Sequence, residues 1–175
     1  MNPNWRVAVN RNARRAAGKS GTSGSSPGLT PPSSGWIEQL LALARRHTEI
    51  GQSAEAERLY RQALAIDPRH VAALHGLGHI AYQAGRHEVA LDLLERAIAV
   101  NDRIPELHYS IAAVLHALGR LPVAGAHCAK AAELRPDFAE AWFGHGNVLA
   151  EQGLWAEAAK HDIHTRRLRV RLAHE

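Results

Sequence analysis

Four glycines, Gly51, Gly85, Gly119 and Gly153, recur at a step of 34 residues, and four alanines, Ala56, Ala90, Ala124 and Ala158, keep the same step. A period of this length excludes a single irregular globule. It marks an array of helical hairpins, each too small to bury its apolar face alone and each completed by its neighbour. From residue 37 the units run 37–70, 71–104, 105–138 and 139–172. In each, two apolar patterns of helical periodicity flank the glycine. The glycine follows the first pattern, where a left-handed residue ends a helix at low cost. Pro68 and Pro136 follow the second pattern in units one and three, and Asp102 replaces the proline in unit two.

A small residue inside each first helix also repeats, as Ala44, Gly78, Ala112 and Gly146, and is expected to face the alanine of the second helix. Small residues on both sides let two antiparallel helix backbones approach closely. Leu40, Leu43, Tyr60 and Leu64 surround this contact in unit one, and Leu74, Leu77, Leu94 and Ile98 in unit two. Ile111, Leu115 and Leu134 follow in unit three, and Trp142 and Leu149 in unit four. Gly125 lies inside the second helix of unit three and weakens it. Pro122 falls in the first turn, where it is tolerated.

The net charge of +4 is unevenly spread. Residues 1–35 carry +5 and no acid, residues 36–159 carry −4, and residues 160–175 carry +3. Residues 18–35 are dominated by Gly, Ser and Pro and cannot form a core, so residues 1–35 read as a disordered basic arm. No nucleic-acid motif accompanies the charge, so a solvated tail is preferred over nucleic-acid contact. Gly18-Lys19-Ser20 lacks the glycine that a phosphate loop needs at position 13, where Ala13 stands. There is one cysteine, Cys128, at a buried repeat position, consistent with a reducing, cytoplasmic setting. No apolar run is long enough to span a membrane.

The repeat breaks down after Lys160. Asp162 stands where earlier units have Tyr60, Leu94 and Cys128, and Thr165 where they have Ala63, Ala97 and Ala131. Residues 167–172 alternate with a period of two, which is strand-like, although Leu168 and Leu172 would also share a helix face. Residues 161–175 therefore read either as a degenerate polar cap or as a foreign tail left by a frameshift.

The spacing and residue types together resemble the tetratricopeptide repeat family across residues 37–172. Unit four, with Trp142-Phe143-Gly144-His145-Gly146-Asn147-Val148-Leu149-Ala150-Glu151-Gln152-Gly153, resembles the repeats that precede the catalytic domain of O-linked N-acetylglucosamine transferases. The resemblance implies an all-α fold, a right-handed α-solenoid of four helix–turn–helix units, with the first helix of each unit lining the concave face. Steps of 3, 4 and 3 residues along those helices pick out the inward side chains. They are Glu38, Leu41, Arg45 and Thr48; Ala72, His75, His79 and Tyr82; Glu106, Tyr109, Ala113 and His116; and Glu140, Phe143, Asn147 and Ala150. Arg45, Thr48, His75, His79, Tyr82, Tyr109, His116, Phe143 and Asn147 are the candidate partner-binding residues. Asn147 matches the asparagine ladder of the transferases, whereas Arg45, His79 and Ala113 fill the other steps. The groove has no lysine, which disfavours capture of a chaperone's terminal carboxylate.

His75 and His79 are four apart on one helix face, as in zinc pairs, with His116 the nearest third ligand in sequence. The intervening residues do not form a metalloprotease motif, and no metal is expected. No catalytic residues and no cofactor are expected either. The sequence thus points to a non-catalytic module that binds a protein or peptide segment. The alternative is the substrate-binding front of a glycosyltransferase whose catalytic domain lies outside this chain.

Overall fold

The computed structural model describes residues 34–172. The expected arm at 1–35 lies outside the described residues up to position 33, and Ser34 and Gly35 open the first helix instead. Eight helices follow in chain order: α1 Ser34–Glu49, α2 Ser53–Ile66, α3 Val71–Gln83, α4 His87–Ile98, α5 Pro105–Ala117, α6 Leu121–Leu134, α7 Ala139–Glu151 and α8 Trp155–Leu172. They pair as four antiparallel hairpins in a right-handed solenoid.

The repeated glycines make the hairpin turns. Gly51, Gly85, Gly119 and Gly153 have φ values of 76°, 71°, 72° and 80°. Each turn closes with the same two bonds. In unit two the Gly85 N–H donates to the Tyr82 carbonyl at 2.9 Å, and the Arg86 N–H donates to the Ala81 carbonyl at 2.9 Å. This is the Schellman arrangement, which satisfies carbonyls that a helix end would leave orphaned. Between hairpins, the Asp67 carboxylate accepts the Arg69 N–H and the Asn101 amide oxygen accepts the Arg103 N–H, both at 3.0 Å. Asn101 lies one repeat after Asp67, so both units make the same side-chain turn, with Pro68 of unit one replaced by Asp102 in unit two.

Helix pairing follows the small residues. Ala44, Ala56, Ala90, Ala112 and Ala124 are essentially buried. At Gly78 an added Cβ would lie 2.9 Å from Leu94 Cγ, and at Gly146 one would lie 3.4 Å from the His161 Cβ. Gly125 is buried for a similar reason, since a Cβ there would come within 3.3 Å of Val148 on α7. The helix propensity lost at Gly125 is thus exchanged for close packing between units three and four. Each helix packs on its neighbours in sequence, and α1, α3, α5 and α7 also touch one another in succession, whereas α2, α4, α6 and α8 do not. The closer spacing of the odd-numbered helices makes their side the concave one.

Three expectations are corrected. Leu41, assigned to the groove, is buried in the core of the first two units, because the helix turns it toward Ala56 and Leu59. Leu43, assigned to the hairpin contact, is 48% exposed on α1. The alternating segment 167–172 is not strand-like: α8 is one helix from Trp155 to Leu172. Thr165 is fully buried at its alanine register, where its hydroxyl donates to the His161 carbonyl of its own helix at 2.9 Å.

Candidate concave interface

The predicted groove residues divide into those that hold the repeats together and those that face outward. His75, half-buried on α3, meets Ser110 of α5 through Nε2 at 2.9 Å. Burial lowers its pKa, His79 adds to the effect, and Glu106 opposes it. His116 on α5 meets the Glu151 carboxylate of α7 through Nε2 at 2.8 Å. Both bonds join residues 35 apart, one repeat plus one residue, so they form successive rungs between concave helices. Ser110 and Glu151 lie outside the 3-4-3 stripe, and an offset of one repeat plus one is the signal that finds them. His75, His79 and His116 are thus not gathered about one point, and among the described residues no group of three potential ligands is placed to hold a metal ion.

Tyr82 and Tyr109 pack more than they present. The Tyr82 ring lies 5.5 Å from that of His87 on α4 and against the central core. Tyr109 sits 5.3 Å from Phe138, and its ring edge would be 3.4 Å from a Cβ at Gly144. Burial raises the pKa of its hydroxyl. Thr48 donates to the Ala44 carbonyl at 2.9 Å, so its hydroxyl is occupied by its own helix.

Arg45, His79, Phe143 and Asn147 are exposed. Arg45, His79 and Asn147 hold the same register position in units one, two and four, with Ala113 in unit three. Beside Asn147 a shallow pocket of about 270 Å³ is lined by Phe143, Gly146, Trp155, Ala158, Ala159 and Asp162. The Arg169 guanidinium lies 5.6 Å from the centre of the Phe143 ring. A wider, open groove of about 570 Å³ lies where α3 and α5 begin, with Arg69, His70, His75, Ile104 and Glu106 on its walls. Sequence reasoning missed Trp155, Asp162, Arg69 and His70 because they sit at helix starts or on α8, outside the stripe along the first helices.

Cys128 is buried, and burial pushes its thiol up to about 11, which keeps it protonated and unreactive. Among the described residues no helix is long and apolar enough to cross a membrane.

Comparison with known proteins places the repeats. Two family models, both described as tetratricopeptide repeat, match residues 48–114 and 129–161. Human tetratricopeptide repeat protein 7B is 39% identical over 69 residues, which is 39% of this chain but only 8% of that protein. A crystal structure of MamA superposes with a TM-score of 0.73 at 24% identity, covering 79% of this chain and 81% of its own. The O-GlcNAc transferase of Thermobaculum terrenum (a K341M mutant) superposes with a TM-score of 0.66 at 31% identity, over 69% of this chain and 23% of its own. The two matches together span more than half of the sequence, and the chain belongs to the tetratricopeptide repeat family.

Proposed function

We propose that this chain is a non-catalytic interaction module that holds an extended peptide segment of a partner protein along its concave face. One observation carries the reading: Arg45, His79 and Asn147 form a row of exposed polar side chains, one repeat apart, broken only at Ala113. Such a row offers an extended backbone polar partners at regular steps, while Phe143 and the adjacent pocket offer an apolar seat. Tyr82 and Tyr109 shape the wall and support it from the core side. The test is selection of displayed peptides on the intact protein and on the triple variant Arg45→Ala/His79→Ala/Asn147→Ala. All three side chains are exposed, so the variant is expected to stay folded and to lose the selected motif's binding by about tenfold or more. Unchanged binding by a folded triple variant would overturn the reading.

The 31% identity to a transferase supports a second reading, in which the array presents substrates to a glycosyltransferase domain encoded beyond it. An in-frame catalytic domain in the downstream gene sequence would favour it. Its absence in every frame would remove it.

A further inference from the structure

The contact that closes each hairpin changes chemistry along the array. Two equivalent positions hold Leu40 and Leu59 in unit one and Leu74 and Leu93 in unit two. In unit three they hold His108 and His127, and in unit four Trp142 and His161, with His145 packed against His161. Leucine seals the first half of the molecule, and imidazole seals the second.

In unit three the Nδ1 atoms of His108 and His127 are 3.1 Å apart, and His108 Nε2 lies 2.9 Å from the Asp102 carbonyl. A carbonyl only accepts, so His108 Nε2 carries a proton and its neutral Nδ1 is the acceptor for the His127 Nδ1–H. One added proton can still be shared between the two Nδ1 atoms if His127 carries its own on Nε2, but protonation of both rings sets N–H against N–H and breaks the bridge between α5 and α6. In unit four the His161 ring stacks on Trp142 at 5.3 Å and lies 4.5 Å from His145, while His164 meets Trp142 edge-on at 4.5 Å. Trp142 is fixed in place by its Nε1–H, which donates to the Pro136 carbonyl at 2.9 Å. His145 Nδ1 is buried without a hydrogen-bond partner. Gly125, which His145 faces on α6, brings no charge. On α8, Glu157 favours protonation of His145 and His161, whereas Lys160 and His164 oppose it at His161.

We infer that units three and four form an acid-sensitive segment, in which protonation of the hairpin histidines parts α5 from α6 and α7 from α8 while the leucine-sealed units one and two stay closed. The electrostatics agree with the geometry. Burial first, and a neighbouring imidazole second, hold His127, His145 and His161 below the ordinary histidine range, so the closed hairpins prefer the neutral rings. The inference does not depend on what the concave face binds.

The test is hydrogen exchange of the full chain at about pH 7.5 and about pH 5.5, corrected for intrinsic rates. Protection in α5–α8 is expected to fall by about tenfold or more relative to α1–α4. Restoring the leucines of the earlier units with His127→Leu/His161→Leu should remove most of that local loss. His75, also held low by burial, lies on the concave side, and His75→Gln should leave the loss in place. An even loss over all eight helices, no loss, or a loss that persists in the leucine variant would overturn the inference. Imidazole titration by NMR on the unaltered protein guards against a variant that does not fold. Midpoints for His127, His145 and His161 below that of free histidine are expected, and midpoints at or above it would overturn the inference too.

Discussion

Gly85 adopts a φ of 71°, and the space where a Cβ would stand is open. Replacement by alanine therefore costs only backbone strain, about 1 kcal/mol, with nothing added from a clash. Urea unfolding of Gly85→Ala should show a lower midpoint with an unchanged slope. Gly76 is a different case, because its φ is ordinary and its space is not. A Cβ there would fall 2.3 Å from Tyr60 Cζ, so Gly76→Ala overpacks the interface between units one and two and should cost about 1–3 kcal/mol. One repeat later, Leu94 stands in place of Tyr60 and Ser110 in place of Gly76. The pair Tyr60→Leu/Gly76→Ala should therefore be more stable than the sum of its single changes predicts, and a double-mutant cycle measures the difference. Additive losses would mean that the ring does not rest on the glycine.

At the scale of elements, the hairpins were legible because one residue type, glycine, is needed at one backbone conformation, and its recurrence fixes every turn. The helix pairing was legible because only alanine and glycine fit between the paired backbones. Leu41 and Leu43 were misplaced because neither a 3-4-3 count nor the repeat register shows what covers a side chain, and no described unit precedes α1 to cover Leu43. The groove was legible in outline only. The stripe found Arg45, His79, Phe143 and Asn147 on the surface, but it counted Tyr82, Tyr109 and Thr48 with them because sequence spacing does not show what a neighbouring repeat covers. The end of the array misled most. Arginine alternating with leucine and valine suggests a strand by its period, yet arginine and leucine are good helix formers and α8 carries them as a helix. Arg167 is exposed within it, so Arg167→Pro is expected to lower helicity by circular dichroism and to destabilise the chain by up to about 3 kcal/mol. An unchanged spectrum would show that the segment is not helical in solution.

At the scale of the molecule, contacts join only neighbouring hairpins, so stability is close to a sum of units and interfaces, and a local loss stays local. The ion pair of Arg120 with Glu88, which crosses repeats, is exposed and adds little to that sum. Its dependence on pH is set instead by partly buried groups. His75, His127, His145 and His161 all have pKa values below the ordinary 6.5, with burial the leading cause at each. A lowered histidine binds fewer protons folded than unfolded, so stability is full above about pH 6.5 and is lost as the pH falls below it toward the folded values. Glu55, lowered chiefly by its bond to Arg58, follows the same rule in a separate window below its ordinary 4.5. Glu106, lowered by its own backbone and by Arg135 against the opposing effect of burial, falls in that window too. Between the two windows the histidines dominate. The melting temperature should therefore be level from about pH 8 to about pH 7 and fall from about pH 6.5 to about pH 5, with the transition broadening as units three and four weaken before units one and two. A melting temperature that rises on acidification would mean that the rings gain partners on protonation, and the neutral imidazole contacts of the second half would then not be what closes its hairpins.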